Sequence, residues 1–171
     1  MNLQIQFWRK PDFSNVFKCI REDGTETWQR RHGEFFVYHD LHHLAVESVL
    51  GLKSGFYGLV ILGWNITDFG TPWPRGPIPA EHSYEALYAE TLAALLDQEF
   101  QTGHRAGVAE FNEQLTASWD SYKDREVHGQ VRVVDGEDLD RIRLHVDVLH
   151  RAWIETTEED ILSLEFPLSA K

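Results

Sequence analysis

The chain is poor in cysteine, in basic residues and in long apolar runs, and each shortage excludes something. Its single cysteine, Cys19, rules out an intramolecular disulfide. That fits a reducing compartment, and we expect a cytoplasmic protein. Lys and Arg total 16 against 28 Asp and Glu, for a formal net charge of −12. Nucleic-acid affinity rests largely on basic side chains that displace counterions. The only basic clusters are Arg30-Arg31-His32 and Arg9-Lys10, so no nucleic-acid partner is expected. The longest apolar run, Gly55 to Trp64, is half the ~20 residues a spanning helix needs. The opening MNLQIQFWRK has no basic region followed by an apolar stretch, so no signal peptide is expected there. No membrane partner is expected. Phosphate-binding loops are missing too. Gly55-Phe56-Tyr57-Gly58 lacks both the Lys-Ser/Thr of a P-loop and the G-x-G-x-x-G of a dinucleotide fold.

What is present suits a single domain over residues 1–171. The apolar share is 42%, with six Trp and ten Phe, which supplies large core blocks. Leu3, Ile5 and Phe7 alternate with polar residues, the period of a half-buried strand. Asn15 to Arg21 and Thr25 to Arg31 read as two more strands. They are joined by Glu22-Asp23-Gly24, a strong hairpin signal. A helix is expected over Tyr38–Leu50, with Asp40 as N-cap and Gly51 as its stop. A second is expected from Ser54 to Trp64, capped by Ser54, with a buried strand as the alternative. The stretch 65–81 holds Pro72, Pro74, Pro77 and Pro79 beside Trp64 and Trp73, and reads as a lid or a stiff crossover. Helices then follow from Ser83 to Gln101, from Ala106 to Tyr122, and from Glu137 through Trp153. A short strand is expected near Gln130–Val134, and a final one at Leu162–Phe166. The order predicts an α+β fold: an antiparallel sheet, made of an N-terminal meander plus a C-terminal strand, with helices packed on one face.

The densest chemistry lies in Tyr38–Leu50, YHDLHHLAVESVL. On a helix, His39, His43 and Glu47 recur every four positions and share a stripe. Two imidazoles and a carboxylate on a stripe suit a divalent transition metal such as zinc, with an open position for water. Asp40 is the expected catalytic assistant: a base, a fourth ligand, or an outer partner for a histidine. Asp68 and His82 flank the proline-rich loop and offer weaker candidates. His145 and His150, five apart, do not share a face and read as surface or core-edge residues. Cys19 has no activating partner in its hairpin and reads as a buried structural residue.

The run His39-Asp40-Leu41-His42-His43 reads H-D-x-x-H. It is similar to the zinc motif of the Coq-type proteins of ubiquinone biosynthesis, a helical family. That family's pattern adds a glutamate twelve residues after the second histidine. Gly55 stands at that position here, so Glu47 would have to replace it, and the function is not carried over. The chain also resembles uncharacterised bacterial proteins in which D-G-S/T-x-T-W precedes an H-D-L-x-H-x-x-V-E helix and a G-F-x-G-L segment. Asp23 to Trp28, His39 to Glu47 and Gly55 to Leu59 carry that resemblance, which implies relatives and no chemistry.

Two functions fit these residues. One is a metal-dependent enzyme of the hydrolase type, acting on a small-molecule substrate that the sequence does not identify. His39, His43 and Glu47 would hold the ion, Asp40 would assist, and the 65–81 loop would cover the site. The other is a non-catalytic module that binds a small ligand or a protein, with the histidine cluster incidental. The sequence carries no signal for oligomeric state.

Overall fold

Alternation in the first strand puts Leu3, Ile5 and Phe7 on one face, all with no exposed surface. The computed structural model describes residues 2–69, 75–122 and 128–167. In it β1 (Asn2–Arg9), β2 (Ser14–Ile20), β3 (Glu26–His32) and β4 (Ile161–Pro167) form one antiparallel sheet in the order β3-β2-β1-β4. The register lines up the apolar face across strands. Ile5 pairs with Cys19 and Leu164, and Phe7 with Phe17 and Leu162. Gln4, Gln6, Lys18, Ser163 and Glu165 take the opposite face by the same alternation. The β2–β3 turn follows its Asp-Gly signal. Gly24 sits at φ +83°, where a side chain would be strained. The Asp23 carboxylate accepts from the Thr25 amide at 2.9 Å and its hydroxyl at 2.6 Å.

Among the described residues, five helices lie on the apolar side of the sheet, some directly on it and some on one another: α1 (Phe35–Leu50), α2 (Phe56–Ile61), α3 (Ala80–Thr102), α4 (Val108–Ser121) and α5 (Gly136–Glu155), with a 3-10 turn at Ile66–Phe69. The expected α+β class is what forms. Helix α1 lies in the middle, packed against α3, α5 and β4. Residues 40 to 47 are all buried, and four of them are ionisable: Asp40, His42, His43 and Glu47. A helix buried on every side is normally apolar all round. Here each of those four groups must find a partner inside the protein.

Several local expectations give way to tertiary partners. Helix α1 starts three residues before Tyr38, which leaves Asp40 inside the helix rather than at its cap. Helix α2 begins at Phe56, and its N-cap Gly55 makes no side-chain cap bond, so Ser54 is not the cap. The Ser54 hydroxyl instead meets His82 Nδ1 at 2.8 Å. Asp68 accepts from the Asn65 amide at 2.8 Å, closing the 3-10 turn. Helix α3 starts at Ala80, directly after Pro79. No strand forms at 130–134. The Asn112 side chain takes the place of a strand partner: it donates to the Val134 carbonyl at 2.7 Å and accepts from the Val134 amide at 2.8 Å. Of the proline-rich stretch, Pro72, Trp73 and Pro74 lie outside the described residues. Among the described residues, no helix is long and apolar enough to cross a membrane.

Candidate metal centre

Helices α1 and α3 pack along a seam, and the four-residue step on α1 brings His39 and His43 to it one above the other. Their rings stand 4.8 Å apart between centroids. Glu90 reaches them from α3. One Glu90 oxygen, Oε2, lies 3.0 Å from His43 Nε2 and 3.7 Å from His39 Nε2. His39, His43 and Glu90 form a group that could hold a metal ion.

The other nitrogen of each ring is held from behind. His39 Nδ1 lies 2.7 Å from Asp97 Oδ2, and His43 Nδ1 lies 3.1 Å from Glu47 Oε1. A ring that donates its Nδ1 proton to a carboxylate is left with its lone pair on Nε2. Both Nε2 atoms therefore face Glu90 with fixed orientation. Asp97 does this twice over, since its Oδ1 lies 2.7 Å from His42 Nδ1. His42 Nε2 in turn meets His150 Nε2 of α5 at 2.9 Å. The access runs from outside inward: the Glu90 side chain is 53% exposed, His39 17% and His43 4%.

Without an ion, protons fill the site. Burial works against a charged His39 ring, but its bonds to Asp97 and Glu90 outweigh that and hold it up at about 9. His43 is buried more deeply, and Glu47 and Glu90 hold it up at about 10. Burial pushes Glu90 and Asp97 upward, and their histidines pull both below the ordinary carboxylate range. His150 goes the other way, down to about 4, through burial and the neighbouring His42.

Glu47 is placed differently from the expectation. Its side chain is fully buried and turns away from the Nε2 atoms. The carboxylate accepts from the Phe56 amide at 2.8 Å and the Tyr57 amide at 3.0 Å, at the start of α2. Burial pushes its carboxyl up, and His43 and these amides oppose that. It holds His43 from behind and joins α1 to α2, while Glu90 is the carboxylate that faces the Nε2 atoms. Asp40 also leaves the site. Its carboxylate pairs with Arg31 of β3 at 2.5 Å, and its carbonyl accepts from the Tyr57 hydroxyl at 2.9 Å. A group buried and paired on the sheet side is poorly placed to move protons at the α1–α3 seam. Cys19 is fully buried, and burial drives its thiol well up.

The sequence reading missed Glu90, Asp97 and the His42–His150 contact. Glu90 and Asp97 are seven apart, hence on one side of α3, but acidic residues on a long helix usually mark its solvated side. Only the α1–α3 packing gives them meaning. Comparison with protein-family models, curated proteins and solved structures gave no match.

Proposed function

We propose that the chain is a metal-dependent enzyme with one transition-metal ion, such as zinc, on His39, His43 and Glu90. One observation carries this reading. Two imidazoles aim Nε2 at a single carboxylate oxygen while a buried carboxylate holds Nδ1 of each. Carboxylate–histidine pairs of that kind accompany metal-binding histidines and raise their basicity. Two nitrogens and an oxygen suit a borderline divalent ion, and three protein ligands leave room for a substrate. Such an ion would supply Lewis acidity, which favours hydrolysis of a small carbonyl or phosphoryl substrate. The half-exposed Glu90 leaves that substrate a way in.

The second reading, a binding module without chemistry, has its own support. Every member of the cluster has a protein partner when the rings are protonated, so the site is self-consistent without an ion. Elemental analysis of protein purified without a histidine tag or chelator separates the two. The enzyme reading expects close to one transition-metal ion per chain and a rise in melting temperature on adding zinc. No metal and no thermal shift with zinc, nickel or manganese would leave only the binding module.

A further inference from the structure

We propose that the hollow lined by Phe35, Tyr38, Phe100 and Gln101 receives the ring of a small aromatic acid, whose anionic head lies on the ion at His39, His43 and Glu90. This rests on the metal reading above and names the ligand class of that same site.

The hollow and the metal centre share one seam. Phe35, His39 and His43 follow each other at four-residue steps on α1. Asp97 and Gln101 do so on α3, with Glu90 seven residues before Asp97. The hollow therefore begins about one helical turn, ~6 Å, beyond His39. Asp97 belongs to both places: it lines the hollow and holds His39 Nδ1. Phe35 lies nearly parallel to the His39 ring, at 15° and 6.0 Å between centroids.

The lining fits a ring. Phe35 is 53% and Phe100 48% exposed, an apolar surface that gains by being covered. The wall behind is aromatic as well, with Tyr38 4.5 Å from Phe100 and 4.7 Å from His150 between ring centroids. The cavity volume is about 260 Å³. An apolar cavity of about 150 Å³ already holds benzene, so the hollow has room for one substituted ring. Among the described residues, the Tyr38 hydroxyl and the Gln101 amide make no hydrogen bond to the protein, so both are available to a ring substituent.

Charge selects the head group. Without an ion, Glu90 and Asp97 already engage His39 and His43, and Glu34 engages Arg9 at 2.6 Å, so these cations are not free to hold an anion. The ion would be the attractive charge there, so an anionic head binds only when the ion is present, and there it meets open coordination positions. A ligand with both parts spans the two features.

Metal-directed probes test this. Acetohydroxamic, benzohydroxamic and 3-phenylpropanohydroxamic acids are titrated calorimetrically into zinc-loaded and chelator-stripped protein. We expect at least one phenyl probe to bind the loaded protein about tenfold or more tighter than acetohydroxamate, the effect of covering a ring. Stripped protein should bind none of them. Phe100→Ala should remove the phenyl advantage and leave acetohydroxamate affinity unchanged, and Phe35→Ala provides a second exposed position for the same comparison. Equal affinity of all three probes for zinc-loaded protein would overturn the aromatic-acid assignment while leaving the metal centre standing. So would a phenyl advantage that survives both substitutions. Failure to retain zinc would overturn both proposals.

Discussion

Glu47 and Glu90 both touch the His43 ring, and burial gives them opposite roles. Glu47 is buried and surrounded by donors, so only a carboxylate satisfies all its partners. In Glu47→Gln an amide group faces backbone amides, and we expect a loss of about 2–4 kcal/mol in urea unfolding of the metal-free protein. Glu90 is half-exposed but holds both histidines, so Glu90→Gln should lower metal-free stability by about 1 kcal/mol, less than Glu47→Gln, while sharply weakening zinc binding. If Glu47→Gln left stability intact, the structural role of Glu47 would be wrong. Asp40 makes the third case. Asp40→Asn leaves Arg31 without its charged partner beside the core, and should cost about 3–5 kcal/mol with zinc affinity unchanged in the folded fraction. A selective loss of zinc affinity would return Asp40 to the site.

At the scale of elements, the joint between α1 and α2 explains why several short motifs lie where they do. Helix α2 has no side-chain cap of its own, and Glu47 supplies one from the preceding helix. For that, the Glu47 carboxyl passes close over the Gly55 backbone, and a Cβ at Gly55 would stand only 2.3 Å from the carboxyl carbon. Gly55→Ala should therefore destabilise by about 1–3 kcal/mol, and a thermal melt indistinguishable from wild type would refute this packing. The same joint shows what the sequence could and could not reveal. Period-two alternation at Leu3, Ile5 and Phe7 and the Asp23-Gly24 turn are local signals, and they gave the sheet. Four-residue spacing predicted the helix that carries His39 and His43, and that helix forms. Helical spacing also pointed to Glu47, because residues four apart share a stripe, but spacing cannot tell which nitrogen of His43 a carboxylate will meet. Glu90 and Asp97 join the site only through packing of α3 on α1, and no local pattern encodes that. The expected strand at 130–134 failed for a related reason: Asn112, some twenty residues earlier, supplies its hydrogen bonds.

At the scale of the whole molecule, α1 carries charged and polar groups between a one-sided sheet and two long helices, and stability is tied to what fills the site. Without an ion, the raised values of His39 and His43 set the sign. Their contribution is fully present below the ordinary value of 6.5 and is lost as pH rises through about 9 and then about 10. The folded form binds more protons than the unfolded chain over that window, so unfolding free energy falls with pH. Urea unfolding in chelator should show this decline between pH 6.5 and 10. With zinc in excess the decline should be smaller, because the ion replaces the protons on Nε2. A flat profile in chelator would mean that the histidine–carboxylate pairs are not protonated. The most direct test of the central claim is a calorimetric zinc titration of chelator-stripped wild type and Glu90→Gln at neutral pH. The account predicts one equivalent bound by the wild type and affinity lower by about tenfold or more in Glu90→Gln. Absence of zinc binding by the wild type, or equal affinity in the two proteins, would contradict it.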